Sequence, residues 1–356
     1  MAFFDELEDP RADNASHRLS DILLMMIAAS LCGATSASEF ALFAETRKPV
    51  LQRLISYDHA PSHDTFSRIL RLLDPQAFLR VFETFAGAFA KALAASGKTA
   101  PAAVVAIDGK ALRRACERGC RASPPLTVSA FATRTRLCLT AVAGAGSNET
   151  EAAIKVVELL DLTRTIVTAD ALHCHHRMAE AITLHGGGYV LALKGNRHEW
   201  HAEAKARFAS RAKRKTAETT ETGHGRSEWR RAEVMATKPL MAGHAAFIRI
   251  TSSRDQAEPQ VRLYMASKAL AAKAALAVTR AHWEIENGLH WVLDVHLGED
   301  LSRARKDHAP ANIALLTRLV RNILQTTDKP KVPISHRIKK CAWNDAYLTH
   351  AIAHMR

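Results

Sequence analysis

The sequence predicts an α/β protein in which a mixed β-sheet is flanked by helices, with an N-terminal helical domain and a small β insertion. Residues 1–97 show helical periodicity. From residue 104 onward, short continuous apolar runs alternate with helical stretches, which is the element order of a mixed sheet covered by helices. Residues 211–265 are polar and alternating, as exposed strands are. We therefore divide the chain into segments 1–97, 98–210, 211–269 and 270–356.

Capping residues and glycines divide the first segment into helices. Asp21 can cap a helix that ends at Gly33, and Ser62 can cap a second helix over 64–73. The chain then breaks at a proline, and a third helix follows over 76–96 with aromatic side chains at helical spacing. This segment is predicted to be a helical bundle.

Three strands are predicted next. Residues 104–107 form a continuous apolar run, as buried central strands do, and the run ends at Asp108. Strands over 126–133 and 137–143 follow, and the short stretch between them is long enough only for a turn. These two strands are therefore expected to form a hairpin.

A second apolar run resembles the first. After a predicted helix over 149–162, residues 165–169 form a buried strand that ends at Asp170. Another helix follows, three consecutive glycines stop it, and a further strand is predicted over 189–193. Two buried strands thus each end at an aspartate.

The remaining elements come from the second half of the chain. Segments such as 246–250 and 261–264 alternate apolar and polar residues, which predicts the β insertion. Beyond it, one long helix is predicted over 270–296 and another over 312–324, followed by a basic tail.

Charge is distributed unevenly along the 356 residues, which carry a net charge of +13. Residues 1–107 have ten basic and twelve acidic side chains, whereas residues 301–356 have eleven basic and three acidic ones. This basic excess favours a polyanionic partner, because neutralised phosphates release counterions.

No apolar run is long enough to span a membrane, and the acidic first ten residues do not resemble a secretory signal. We expect a cytoplasmic protein.

Asp108, Asp170 and Glu286 are the candidate catalytic and metal-binding residues. The aspartates lie 62 positions apart, and adjacent parallel strands could bring both to one sheet edge. Glu286 borders the buried stripe of the long helix and could complete a cage for two metal ions, which suits phosphodiester cleavage. Glu284, about 200° around the helix, is the competing third carboxylate. The residues alone leave that choice open.

Short motifs occur along nearly the whole chain. They are DPR (9–11), PSHDTF (61–66), IDGK (107–110), SNE (147–149), DALHC (170–174), YVLALKGN (189–196), GHGR (223–226) and HWEIEN (282–287). Any one of them would be a weak signal. In combination they resemble the H-repeat-associated transposases, a branch of the insertion-sequence DDE transposases.

The resemblance implies a ribonuclease-H-like catalytic domain, built from segments 98–210 and 270–356, with Asp108, Asp170 and Glu286 as its acidic triad. It favours Glu286 as the third carboxylate and implies two bound Mg²⁺ or Mn²⁺ ions. It also implies the reaction: water cleaves an element end, and the freed 3′ hydroxyl attacks target DNA. The implied partners are DNA and a second copy of the chain, at the bacterial nucleoid.

Polar and basic residues near these motifs are the predicted DNA contacts. They are Lys110, Lys194, Asn196, Arg197, His224, Arg226, Arg230 and Arg231. Such side chains bind phosphates as point charges or through bidentate guanidinium contacts.

Related cut-and-paste enzymes often carry tyrosine, arginine and lysine around the glutamate, where this chain has Thr279, His282 and Leu293. Phosphate-binding roles therefore do not carry over to these three positions. His282 and His290 lie one helical turn either side of Glu286, either assisting it or as ordinary surface histidines.

Two other functions fit the same residues: a transposase remnant that binds DNA without cutting it, and a metal-dependent nuclease that acts on host nucleic acid. The presence of all three carboxylates counts against the remnant. The helical segment is acidic overall, which weakens a role in reading inverted repeats and leaves dimerisation as an alternative. A zinc site is not expected, because Cys116 and Cys120 lack a second pair and residues 173–176 would point in different directions.

Overall fold

The computed structural model describes residues 4–11, 15–95, 103–116, 123–144, 148–223, 226–255, 257–329 and 331–353. In this part of the chain, nine strands form one mixed sheet. They are β1 (Ala103–Ala111), β2 (Leu126–Ala132), β3 (Leu137–Gly144), β4 (Thr165–Ala169), β5 (Gly188–Leu193), β6 (Lys215–Gly223), β7 (Arg226–Ala236), β8 (Ala246–Arg254) and β9 (Gln260–Ala266). The predicted α/β class is confirmed.

The strand order across the sheet is β3-β2-β1-β4-β5-β9-β8-β7-β6. β1, β2 and β3 are antiparallel neighbours, and β2 and β3 form the predicted hairpin. β4 and β5 run parallel to β1. β9 pairs antiparallel with β5, and β8, β7 and β6 follow in turn. The strands of the predicted β insertion therefore extend the main sheet, because β9 returns alongside β5.

Helices flank this sheet. One group precedes β1 in the chain, and the other follows β3. The first group is α1 (Leu19–Leu31), α2 (Ala37–Thr46), α3 (Lys48–Leu51), α4 (His63–Leu72) and α5 (Pro75–Ala95). The second group is α6 (Glu149–Glu158), α7 (His176–Leu184), α8 (His198–Ala209), α9 (Ala272–Ile285), α10 (Trp291–Val295), α11 (Ala309–Thr327), α12 (Ile334–Trp343) and α13 (Asp345–Ala353). Ser62 caps α4 as predicted, whereas Asp21 lies in the first turn of α1. The predicted domain boundary at residue 97 lies outside the described residues.

The helix α1 is apolar on all sides. Every residue over 22–31 is buried. Such a helix must be surrounded, and α2, α11, α12 and α13 all pack against it. α5 packs against β3, and Phe82 of α5 and Val142 of β3 belong to one hydrophobic core. The predicted helical domain thus shares its core with the sheet. None of the helices in the described ranges combines the length and hydropathy needed to cross a bilayer.

Two observed boundaries differ from the predicted ones. β1 does not end before Asp108 but continues to Ala111, because residues 108–111 keep pairing with β2 after β4 has ended. The single helix predicted over 270–296 is divided, since residues Glu286–His290 form a π-helical turn between α9 and α10. Such turns are rare and occur frequently at functional sites.

Buried polar side chains of α11 join the separate parts of this frame. Arg321 donates a hydrogen bond of 2.8 Å to the carbonyl oxygen of Gly288 in the π-helical turn. Asn322 accepts from the backbone N–H of Cys138 at 2.9 Å and donates to its carbonyl oxygen at 2.7 Å. These bonds fix the π-helical turn and β3 to the same helix.

Candidate active site

The parallel pairing of β1 and β4 places Asp108 beside Asp170. Ile107 and Ala169 are the last paired residues of the two strands, and the aspartates are the next residue in each. Beyond this point β1 continues beside β2, with Asp108 opposite Ser129, whereas the chain leaves the sheet after β4. The two carboxylates therefore lie side by side at the point where the chain leaves β4 while β1 continues in the sheet.

The third predicted carboxylate, Glu286, opens the π-helical turn after α9. α9 packs across β1, and the charge of Glu286 helps to raise the pKa of Asp108. The alternative residue, Glu284, points elsewhere, since its Oε2 lies 3.3 Å from Nη1 of Arg136 in the β2–β3 turn. Of the two glutamates, Glu286 is the one whose charge acts on Asp108, whereas Glu284 is paired with Arg136.

Asp108 is mostly buried, and its carboxyl has a perturbed pKa. The pKa is raised to about 7, first by burial and then by the negative charges of Asp170, Glu149 and Glu286, against an opposing backbone hydrogen bond from Gly109. Perturbation by burial together with specific charged neighbours is typical of functional sites. Three other carboxylates thus act on Asp108 at this edge of the sheet.

Glu149 is the member of this group that is not among the predicted site residues. It is the first residue of α6, and a Cβ built on Gly109 would lie 2.6 Å from its Cδ. The buried His173 has Nε2 at 3.4 Å from Glu149 Oε1 and at 3.9 Å from Asp170 Oδ1. The SNE motif marked Glu149, but a glutamate in the first turn of a helix is ordinarily explained by the helix dipole. Only its tertiary neighbours distinguish it.

Two histidines of the α9–α10 segment face the strands that carry the aspartates. His290 Nδ1 lies 3.5 Å from Asp108 Oδ2, and His282 Nδ1 lies 3.2 Å from Thr168 Oγ1. Burial lowers the pKa of both rings, that of His290 to about 3, so both are neutral near pH 7. Neutral imidazoles can orient neighbouring oxygen atoms but do not balance the charge of the carboxylates.

The donor atoms of the site suit a hard divalent cation. The described residues contain no ready-made group of three His, Cys, Asp or Glu side chains placed to hold one metal ion. Carboxylate oxygens are nevertheless the ligands that Mg²⁺ and Mn²⁺ prefer. The ion-pair partners that the described residues supply to Asp108, Asp170 and Glu149 are histidines rather than lysine or arginine. The uncompensated negative charge therefore favours a cation at this place.

Lys110, a predicted DNA contact, is instead buried in an ion-pair cluster. Its Nζ lies 2.5 Å from Asp294 Oδ1 and 3.1 Å from Asp300 Oδ1, and only 7% of its side chain is exposed. The structure does not support the predicted phosphate contact, because two carboxylates already surround the ammonium group. The cluster fixes β1 to the segment that follows the π-helical turn.

The loop after β5 lies beside the segment that follows Asp170. Its residues differ in whether their side chains are already hydrogen-bonded within the protein or are exposed and able to contact DNA. Asn196 Nδ2 and Arg197 Nε donate hydrogen bonds of 2.8 and 2.7 Å to backbone carbonyl oxygens in the 171–174 segment. These bonds hold the chain directly after Asp170. Lys194 is exposed and is the member of this loop best placed to contact a phosphate.

The predicted contacts on β7 do not form one phosphate-binding group. Arg230 and Arg231 are consecutive on the strand, so their side chains point to opposite faces of the sheet. Each pairs with a glutamate of β7 or β6, at 2.7 and 3.4 Å respectively. His224 and the side chain of Arg226 lie outside the described residues.

Two further features of the sequence have structural explanations. Thr279 is buried with its hydroxyl bonded inside α9 at 2.8 Å, and Leu293 is fully buried, so neither can contact a phosphate. In the 173–176 run, His173 faces Glu149 whereas the Sγ of Cys174 lies 3.7 Å from a methionine sulfur in the core. These side chains diverge, as predicted, and Cys120 lies outside the described residues.

Asp108→Asn is expected to raise the melting temperature of the metal-free protein at pH 8. The pKa of Asp108 is about 7 in the fold against an ordinary value of 3.8. The fold therefore disfavours the ionised form, and stability is lost as the pH rises from about 4 through 7. The asparagine variant lacks this loss. Thermal unfolding in EDTA should show a gain at pH 8 that shrinks toward pH 5, and a gain independent of pH would contradict this explanation.

Known families match most of the chain. Residues 1–86 match the family described as DDE_Tnp_1-associated, and residues 99–323 match the Transposase DDE domain. The second match spans Asp108, Asp170 and Glu286. A cryo-EM structure of a piggyBac transposase synaptic complex with hairpin DNA has a TM-score of 0.45 at 10% identity, covering 98% of this chain and 76% of that chain.

Curated relatives match along almost their entire length. The "Putative transposase YncI" of Escherichia coli O157:H7 is 31% identical, and the match covers 95% of this chain and 90% of that protein. The "H repeat-associated putative transposase YhhI" of Escherichia coli K12 is 28% identical, with 95% of this chain and 93% of that protein covered. The chain therefore belongs to the H-repeat-associated family of DDE transposases.

Proposed function

We propose that this protein is a metal-dependent DNA transposase, which cleaves DNA at the ends of an insertion sequence and joins those ends to target DNA. The observation that carries the proposal is the side-by-side position of Asp108 and Asp170 where the pairing of β1 with β4 ends, with Glu286 among the charges that act on Asp108. Membership of the DDE family supports the reaction class. The same three residues would hold two Mg²⁺ or Mn²⁺ ions.

The proposal includes a ribonuclease-H-like catalytic domain. The strand order β3-β2-β1-β4-β5 supports it, with three antiparallel strands followed by two that run parallel to β1. The first aspartate lies within β1 and the second directly after β4. On this assignment, β6 to β9 are an addition to the edge that β5 would otherwise form.

Contacts within the chain hold the surroundings of the two aspartates in place. When bound, the two ions would stabilise the attacking and leaving oxygens of the phosphodiester. His290 lies against Asp108 as a neutral ring, and the loop after β5 holds the segment after Asp170. The ion pairs of Lys110 join β1 to the chain beyond Glu286. The backbone of the site is thus preorganised by bonds that need no ligand.

The proposed partner is DNA, both at the element ends and in the target. The net charge of +13 supports a polyanionic partner. A cavity of about 640 Å³ also extends from Lys194 along β5 and β9 to Arg262, with Lys205 and His201 in its lining. Contacts to phosphates of this kind position DNA without reading its sequence. A homodimer is part of the proposal, because an element has two ends and each needs an active site.

The proposal is tested by incubating the purified protein with DNA that carries the element's own ends. With Mg²⁺ or Mn²⁺, strand breaks should map to the element boundary and joined products should form, and EDTA should prevent both. Breaks at arbitrary positions in DNA without ends would indicate a general metal-dependent nuclease. Binding to the ends without any cleavage would indicate an inactive remnant. Either result would contradict the proposal.

A further inference from the structure

Glu149 lies among the carboxylates of the site but has no place in the proposed triad. We propose that Glu149 is a fourth carboxylate of the site and binds a divalent cation together with Asp108 and Asp170. The inference rests on the proposed function only in placing a cation at this edge of the sheet. It adds a ligand that neither family membership nor the sequence motifs assign.

The first observation is the close approach of Glu149 to the backbone of β1. A Cβ built on Gly109 would lie 2.6 Å from Cδ and 3.1 Å from Cγ of Glu149, whereas real Cβ contacts essentially never fall below 3.0 Å. Any side chain at position 109 would therefore displace this carboxyl group. The glycine directly after Asp108 thus leaves the room beside β1 that the carboxyl group of Glu149 occupies.

The second observation is the buried imidazole of His173. The residue is fully buried, and neither ring nitrogen has a hydrogen-bond partner in the structure. Its Nε2 points to the gap between Glu149 Oε1 at 3.4 Å and Asp170 Oδ1 at 3.9 Å. Buried polar atoms without a partner are rare and call for an explanation. Here the nitrogen without a hydrogen bond lies close to both carboxylates, so Glu149 and Asp170 border the same space.

A helix-terminal role does not account for the position of Glu149. The first turn of α6 contains a second glutamate, Glu151, whose side chain is 43% exposed and pairs with Arg177 at 2.5 Å. Glu149 instead keeps only 24% of its side chain exposed, and its Oε1 faces the buried ring of His173. A carboxylate that only balanced the helix dipole would do so equally well from solvent. A cation shared with the neighbouring aspartates would explain the buried position.

The test is Mn²⁺ binding to the full chain without DNA, measured by isothermal titration calorimetry. Glu149→Gln is expected to weaken binding by at least about tenfold, because it neutralises a ligand while keeping the size of the side chain. The matched control is Glu151→Gln, two residues along the same helix. It should bind Mn²⁺ within about twofold of the unmodified protein, since an exposed ion pair contributes little.

Asp108→Asn separates the failure of this inference from failure of the proposed function. If Asp108→Asn loses Mn²⁺ binding while Glu149→Gln retains it, the metal site stands and Glu149 is not one of its ligands. If both variants bind Mn²⁺ like the unmodified protein, the metal site itself is refuted. Loss of binding in both, with Glu151→Gln unaffected, is the expected result.

Gly109→Ala tests the same point while every carboxylate remains present. The atoms that the new methyl group meets belong to the flexible end of Glu149, so the side chain can swing away and the fold should persist. Circular dichroism should be unchanged, and Mn²⁺ binding should weaken as much as in Glu149→Gln. The double variant should be no weaker than Glu149→Gln alone. Unchanged binding in Gly109→Ala, or an additive loss in the double variant, would overturn the inference.

Discussion

Asp108→Asn, Asp170→Asn and Glu286→Gln are each expected to lower cleavage of element-end DNA by well over about 100-fold while DNA binding is retained. Losing an outer contact to a metal ligand costs roughly 10–100-fold, and losing the charge of a ligand itself should cost more. Each substitution nearly preserves the size of the side chain. Gel analysis of cleaved ends with Mg²⁺, together with mobility-shift measurements of binding, checks this result.

The fold should survive these three substitutions. Asp170→Asn keeps the Oδ1 atom that accepts a hydrogen bond from Leu172 N at 2.9 Å. Asp108→Asn removes a charge that burial disfavours, and Glu286 is exposed. A loss of cleavage would therefore report on the chemistry rather than on folding, and circular dichroism spectra would check this.

Glu284→Gln is the matched control for the third carboxylate. It lies two residues before Glu286 and loses only an ion pair with Arg136, in which both side chains are more than 40% exposed. Cleavage by this variant should stay close to that of the unmodified protein. Loss of cleavage in Glu284→Gln but not in Glu286→Gln would reverse the assignment, and normal strand transfer by any triad variant would refute it.

Arg318→Met is expected to destabilise the fold by about 3–5 kcal/mol, because it leaves a buried carboxylate without its counter-charge. Arg318 and Glu299 are both 0% exposed, with Nη1 and Oε1 2.6 Å apart. Arg318 Nε also donates to Ser129 Oγ at 2.8 Å, and the hydroxyl of Thr317 donates to Glu299 at 3.0 Å. The loss would be a large part of the roughly 5–15 kcal/mol that stabilises a typical domain.

Urea denaturation of variants measures this loss. Arg113→Met is the control, because Arg113 is 80% exposed and lies 3.7 Å from Asp300, so its ion pair should contribute at most about 1 kcal/mol. The double variant Arg318→Met/Glu299→Gln should be less destabilised than the sum of the two single changes, since no buried charge is left alone. A cost below about 1 kcal/mol for Arg318→Met would show that the buried pair does not hold α11 in place.

The local pattern of apolar residues was sufficient to predict β1 and β4, the two strands that position the aspartates. The apolar run at 104–107 lies in β1, the run at 165–169 is β4, and the turn over 133–136 joins the predicted hairpin. Such runs are readable because the burial of a central strand and the breaks around it are both local properties. The same pattern did not show where β1 ends, because residues 108–111 remain in the sheet only through pairing with β2.

Long-range pairing decided what local pattern could not. The alternating segments after residue 211 read as strands, but their union with the main sheet depends on β9 lying beside β5. Lys110 read as a basic residue next to a motif, and only the folded chain brings Asp300, 190 positions away, within 3.1 Å of it. The charge of a residue can be read from sequence, whereas its partner cannot.

By itself, the sequence determined the α/β class, the family, the strand that contains Asp108 and the strand that ends just before Asp170. Tertiary structure decided what surrounds the aspartates: it turned Glu284 toward Arg136, put the charge of Glu286 within reach of Asp108, and set Glu149 against the space left by Gly109. The physical reason is that a carboxylate is defined as part of a site by the burial and the charges around it. Those come from helices and strands that meet only when the chain has folded.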